Sequence, residues 1–394
     1  MAIKSITEID IKGKAVFVRC DFNVPLDENG VIKDDTRIRR AVPTIQHAIG
    51  QTAKIILASH LGRPKGEKRP ELSLRPVAAR LGELLGQPVV FVGDCVGETV
   101  RVAVNSLPVG GVLLLENLRF YDGETKNDPE FSAELASPAE AYVNDAFGTA
   151  HRAHASTVGV PRLLPVKAAG LLMKEELDNL NRAFSNPKRP VVAVFGGAKV
   201  SDKLAILENI VQNMDSVLLG GGMANTFLGA EGLRMGCSRI EENMLGTAKD
   251  IVQSAKEKGC HFLLPSDVVV ASGMDESAET RIVDVADVPE GWMALDIGPK
   301  TIASFNKEIL HAGTIVWNGP MGVFELEPFK AGTMGIADAI AASEGFSIVG
   351  GGDTLRAVRQ AGVMEKISYI STGGGAFMEF MEGRVLPGVA ALEV

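Results

Sequence analysis

The chemistry-bearing residues of this 394-residue chain fall into two groups, one in each half. The first half carries four motifs that contain arginine: RCDFNVP (Arg19–Pro25), DDTRI (Asp34–Ile38), SHLGRP (Ser59–Pro64) and NDAFGTAHRAHAS (Asn144–Ser156). The planar fork of arginine matches phosphate and carboxylate through paired hydrogen bonds. A single arginine reads as a surface ion pair. Arg19, Arg37, Arg63, Arg119 and Arg152, spaced among different strand ends in one half, read together as an anion pocket. His60, His151 and His154 add possible donors, although a lone histidine is more often a packed structural residue. Asp21 and Asn23 alternate with Cys20 and Phe22, so they share one face of a strand end, where an acid and an amide suit a substrate hydroxyl.

The second half carries six glycine-rich turns: Phe195–Lys199, Gly220–Phe227, Asp296–Lys300, Asn318–Glu325, Gly350–Thr354 and Ser371–Ala376. Glycine lets backbone N–H groups approach an anion, and a following helix adds its positive end. Lys199 and Lys203, four apart at the start of an expected helix, form either a polyphosphate grip or two solvated lysines on an exposed helix end. Ser201 or Asp202 would cap that helix, and Leu204, Leu207, Ile210 and Val211 give it an apolar face. Asp353 either ligates Mg2+, which takes one or two carboxylates plus substrate phosphates, or shares with Thr354 the role of helix N-cap. Glu325 is placed to accept ribose hydroxyls, while Trp317 reads as core.

These residues need elements to hold them. Short apolar runs alternate with amphipathic stretches. Strands are expected at Ala15–Arg19, Lys54–Ser59, Val89–Val92, Val112–Glu116 and Ala141–Asp145, then at Val191–Phe195, Ser216–Gly220, His261–Leu264, Thr314–Trp317, Phe346–Val349 and Ile367–Ser371. Helices are expected at Thr36–Gly50 and Leu74–Gly86. The rhythm predicts an α/β fold of parallel sheets flanked by helices, with ligands at the carboxyl ends of the strands. The length favours two domains. Met173, Leu177, Leu180 and Phe184 line one side of a connecting helix, and two prolines in SNPKRP break it before a new strand at Val191.

Composition narrows the function. The net charge of −9, without a long basic run, disfavours nucleic acid. Cys20, Cys95, Cys237 and Cys260 form no CxxC pair and no zinc spacing, which fits reduced structural thiols in the cytoplasm. The N-terminal stretch has no apolar signal region, and no apolar run is long enough to span a bilayer. GxxxxGK[ST], an early GxGxxG, HRD and DFG are all absent, which disfavours Walker-type ATPases, dinucleotide enzymes and protein kinases. A nicotinamide oxidoreductase and a non-catalytic protein closing on a small anion remain as rivals.

The motifs, in order across almost the whole chain and with ENLRF at Glu116–Phe120, resemble the phosphoglycerate kinase family. The resemblance implies two Rossmann-like lobes: residues 1–172 for the phosphoglycerate, a connecting helix and hinge over 173–190, and residues 191–379 for the nucleotide. Residues 380–394 would fold back onto the first lobe. It implies reversible, Mg2+-dependent transfer between 1,3-bisphosphoglycerate and ADP, giving 3-phosphoglycerate and ATP, by a cytoplasmic monomer. Asp21 and Asn23 would contact the glycerate, with Phe22, Leu61 and Gly62 in the same set. His60, Arg63, Arg119 and Arg152 would hold its phosphate. Arg37, Lys199 and Gly374 would be catalytic. Lys203, Gly298, Glu325, Gly351, Gly352, Asp353 and Thr354 would bind the nucleotide, with Asp353 toward the metal. Cys20 stands where many members carry valine, and Leu355-Arg356 replaces small residues. A carboxylate acceptor is ionised at neutral pH and needs no general base, so catalysis reduces to positioning and charge neutralisation.

Overall fold

The computed structural model describes residues 3–393. Its contacts divide the chain into two compact units: residues 1–177 with 385–394, and residues 178–384. The first division falls at Leu177/Asp178, inside the expected connecting helix, which forms over Leu171–Leu180 and continues as a wider π-helical turn over Asn181–Ser185. The extra residue in that turn rotates the apolar face: Ala183 is buried, while Phe184 is half-buried edge-on against Phe380. The second division falls at Arg384 rather than 379, because the helix Gly375–Met381 packs within the second unit.

Unit 1 is built on a parallel sheet of six strands, β1 (Ala15–Cys20), β2 (Lys54–Ala58), β3 (Val89–Val92), β4 (Val112–Leu115), β5 (Ala141–Asp145) and β6 (Val166–Ala169), in the order β3-β4-β2-β1-β5-β6. β1, β2, β4 and β5 are mostly apolar and almost wholly buried, as parallel strands covered on both faces must be, with Arg19, Asn144 and Asp145 as buried polar exceptions at the carboxyl ends of β1 and β5. Val16, Val18, Ile55 and Leu57 join Ile38 and Ile45 of the helix Thr36–Gly50 in one core. Each such side chain contributes about 1.5–3 kcal/mol by leaving water. β6 escapes the sequence reading because VKAA, after Pro165, carries a half-buried lysine and little bulk.

Unit 2 has a second parallel sheet, β7 (Val191–Phe195), β8 (Ser216–Leu219), β9 (His261–Leu263), β13 (Thr314–Asn318), β14 (Phe346–Val349) and β15 (Tyr369–Ile370), ordered β15-β14-β13-β7-β8-β9. Beside it lies an antiparallel sheet the sequence reading did not foresee: β10 (Asp267–Ala271), β11 (Thr280–Asp284) and β12 (Met293–Ile297), ordered β11-β10-β12. β11 is exposed along nearly its whole length, so it shows neither alternation nor an apolar run. The turn at Asp296–Lys300 therefore follows an antiparallel strand.

In both units the chain winds outward in two directions from a central strand, β1 in one and β7 in the other. Crevices open at the carboxyl ends where the winding reverses. RCDFNVP, SHLGRP and NDAFGT leave β1, β2 and β5; FGGAK and NGPMG leave β7 and β13. Among the described residues, no helix is long and apolar enough to cross a membrane.

Candidate active site

In unit 1 the strand ends gather charge. Arg37, near the start of the helix Thr36–Gly50, pairs with Asp21 beyond β1 (Nη1 to Oδ2, 2.6 Å). Asn23 Oδ1 accepts from Gly62 N (2.9 Å), and Gly62 O accepts from Arg119 Nη1 (2.7 Å), tying the loops after β1, β2 and β4 together. Gly62 has φ 63°, and a Cβ there would press on Leu72, so glycine is required. Arg119 is buried, and its Nε has no hydrogen-bond partner. Burial, then Arg152 and Arg19, pull its guanidinium down to about 10. Arg152 donates from Nε to His151 Nε2 (3.2 Å), and Arg63 is exposed.

His60 sits at the centre of this charge. Burial, then Arg19, Arg119, Arg37 and Arg152, hold its pKa well below the ordinary value, so the ring is neutral. Its Nδ1 lies 3.2 Å from Arg19 Nη2. A guanidinium has no acceptor, so Nδ1 accepts and the ring proton resides on Nε2. Arg19 is itself fully buried, donating from Nε to Ser156 Oγ (2.8 Å) and from Nη1 to the Cys20 carbonyl. Ser156 in turn donates from Oγ (2.6 Å) and N (2.9 Å) to the buried Glu124 carboxylate, beside His154 Nδ1 at 3.7 Å. Glu124 thus compensates the buried guanidinium that sets the His60 tautomer. Nothing in YDGETKN distinguishes it from a solvated acid.

Phe22 and Leu61 are core side chains, and their N–H groups are occupied by Ser59 Oγ (2.8 Å) and Asn117 Oδ1 (3.2 Å). Cys20 also points into the core.

In unit 2 the glycine turns interlock. A Cβ on Gly196 would collide with the Pro320 carbonyl, and one on Gly319 (φ 98°) with the Gly196 carbonyl. Much of the demand for glycine is thus turn-on-turn packing. The helix expected after a cap at Ser201 or Asp202 starts only at Leu204, because Glu241 ties down the preceding turn by accepting from Val200 N (2.6 Å), Ser201 N (3.1 Å) and Ser201 Oγ (2.6 Å). Neither Ser201 nor Asp202 caps the helix, and Leu204 is only half-buried while Ile206 joins the buried face. Lys203 turns inward. Its Nζ donates to Asn318 Oδ1 (2.5 Å), Gly196 O (2.6 Å) and Asn318 O (3.0 Å). Burial pulls it down to about 8, opposed by Asp353 and Asp202. Lys199 stays half-exposed, so the two lysines are not a solvated pair on a helix.

A cavity of about 370 Å³ opens beside these turns, lined among others by Ala198, Gly221, Pro320, Val323, Glu325 and Asp353. It holds two of the expected nucleotide residues, Glu325 and Asp353. Gly351 (φ 97°) precedes the helix Gly352–Gln360, at whose exposed first turn Asp353 stands. Thr354 Oγ1 is buried between Gly319 N (2.8 Å) and Gly350 O (2.9 Å). Gly298 packs on the Asp267 carboxylate, which accepts from Lys300 N (3.0 Å) and Thr301 N (2.8 Å) and so caps the helix Pro299–His311. Gly374 (φ 51°) precedes the helix Gly375–Met381, with open space where a side chain would be. Asn318, which holds Lys203, and Ala198, Pro320 and Val323 of the cavity wall lie inside the quoted motifs, where single residues carry no separate signal, while Met274, Met293 and Leu295 of the same wall lie outside them.

The family model for phosphoglycerate kinase matches residues 6–384. The chain belongs to the phosphoglycerate kinase family. Members similar to it include the phosphoglycerate kinase of Pelobacter propionicus, 52% identical over 100% of this chain and 99% of that one. The cytosolic phosphoglycerate kinase of Triticum aestivum is 53% identical over 100% and 98%. A solved phosphoglycerate kinase from Coxiella burnetii superposes with a TM-score of 0.94 at 43% identity, covering 99% of each chain.

Proposed function

We propose that unit 1 binds 3-phosphoglycerate or 1,3-bisphosphoglycerate at the arginine cluster, and that unit 2 binds ADP or ATP in the glycine-lined cavity. The reaction is that of the family, phosphoryl transfer to or from a carboxyl group in glycolysis. The observation that carries the residue assignment is the convergence of Arg19, Arg37, Arg119 and Arg152 on a neutral His60, with Arg119 Nε buried and unpartnered. Such a guanidinium edge costs free energy until an anion meets it.

From ATP, a glycerate carboxylate oxygen attacks the γ-phosphorus, the bond to the ADP oxygen breaks, and ADP leaves with that electron pair. No proton moves. Arg119, Arg152 and Arg63 hold the non-reacting phosphate, to which His60 donates from Nε2. Asp21 and Asn23 orient the glycerate, and Arg37 faces the reacting carboxyl. Lys199 neutralises the transferring group. Lys203 fixes Asn318 and the turn that carries it. Gly374 leaves space at a helix start for the same group.

Mg2+ fits this reading. Among the described residues no cluster of three or more His, Cys, Asp or Glu could hold a metal alone, while Asp353 offers one accessible carboxylate. That donor set suits an ion taking its other ligands from nucleotide phosphates and water, where it would neutralise phosphate charge. Function as a cytoplasmic monomer completes the reading.

The deciding experiment is Mg2+-dependent transfer from ATP to 3-phosphoglycerate, coupled to reduction of the bisphosphate product. Wild type turns over and Arg37→Ala loses the activity; a folded but inactive wild type overturns the reading. Because each ligand belongs to its own unit, turnover requires the units to approach, with a hinge near residues 184–190 and at 371–375. X-ray scattering should show a smaller radius of gyration with both substrates than with neither.

A further inference from the structure

A cation is paired with the two carboxylates that line the nucleotide cavity. Arg356 Nη2 lies 2.8 Å from Asp353 Oδ1 and 3.0 Å from Glu325 Oε1, so one nitrogen bridges the two carboxylates that line the cavity. The placement follows from the elements. Arg356 stands three residues after Asp353 on the helix Gly352–Gln360, on the same face, and Glu325 comes from the loop after β13. The guanidinium also sits 5.5 Å from the centre of the Phe324 ring.

We propose that Arg356 is a built-in counter-ion of the nucleotide site that lessens the dependence of nucleotide binding on Mg2+. The inference rests on the nucleotide reading of this cavity. A nucleoside diphosphate without metal brings its negative charge toward Asp353 and Glu325, and Arg356 offsets part of the repulsion. When Mg2+ accompanies the nucleotide, the ion must share the Asp353 carboxylate with a cation already there, so Arg356 opposes it. Removing the guanidinium therefore acts in opposite directions on the two forms of the ligand. A residue that merely held the loop in place would shift both the same way. The three side chains are about half exposed or more, at 56% for Arg356, 66% for Asp353 and 47% for Glu325, so each effect is modest.

The test is calorimetric titration of ADP into wild type, Arg356→Ala and Arg356→Lys, each in excess Mg2+ and in EDTA. In Arg356→Ala, ADP should bind more weakly in EDTA and more tightly with Mg2+, raising the ratio of the two affinities about two- to fivefold. Arg356→Lys, which keeps the charge, should stay near wild type. An unchanged ratio in Arg356→Ala, or equal weakening of both forms, overturns the inference and leaves the nucleotide site standing. A wild type that binds ADP under neither condition overturns both.

Discussion

At the scale of single residues, the site is a balance of charges whose partners lie far apart in the chain. Arg37 and Lys199 are half-exposed or more and reach the reacting group in the proposed mechanism, so their loss should act on turnover and not on folding. Arg37→Ala and Lys199→Ala should each cost about 3 kcal/mol of transition-state stabilisation, read as kcat/KM in the coupled assay; unchanged turnover in either removes that residue from the mechanism. Asp296 behaves differently. Burial pushes its carboxyl up to about 7 from 3.8, against hydrogen bonds from Gly332 and Ile297. A raised folded pKa contributes stability below the unfolded pKa, and that stability is lost as pH rises through about 7. Asp296→Asn should therefore gain on wild type between pH 5 and pH 8, by on the order of 3 kcal/mol, followed by thermal melts at both values. A constant difference across that range would place the titration elsewhere. Asp21 and Asn23 were legible because polar side chains follow directly on an apolar strand, and Arg37 because it opens an amphipathic helix. Glu124 and Asn318 were not. Each matters through a partner brought to it by the fold, Ser156 and Arg19 in one case and Lys203 in the other.

At the scale of elements, buried parallel strands are easy to read because both faces demand apolar side chains. β3, β5, β7 and β14 have the expected limits. β11 was unreadable for the opposite reason, since its exposed TRIVD has no burial to record. The glycine turns are legible in the sequence, whereas their packing on one another is not. Their glycines suit a cradle for an anion, and several also let one turn lie on another. Gly319→Ala tests this. The left-handed φ and the collision with the Gly196 carbonyl should together cost at least about 2 kcal/mol. Because Lys203 Nζ is bonded to the same carbonyl, ADP binding should weaken along with the melting temperature. A variant that melts and binds like wild type would show that the turns pack more loosely than described.

At the scale of the whole molecule, the chain passes from unit 1 into unit 2 along the helix Leu171–Leu180 and returns at Val385. The returning segment is part of the fold of unit 1. Gly388 N donates to Ala150 O (2.8 Å), directly before His151 and Arg152, and Leu386 and Leu392 are buried. Deleting residues 385–394 should destabilise unit 1 by roughly 4 kcal/mol or more, the loss of two buried leucines, and leave unit 2 largely unchanged. Scanning calorimetry should then show one transition moved down and one kept; a single unshifted transition would deny the segment its role. The return of GRVLPGVAALEV was expected only as what the family resemblance implies, not from the residues of the tail themselves.

That return path has a consequence for how the protein is made. Synthesis runs from the N-terminus, so nearly all of unit 1 emerges from the ribosome before any of unit 2. Yet the residues that pack against Ala150 are translated after all of unit 2. Unit 1 therefore cannot complete its contacts until all of unit 2 has been synthesised.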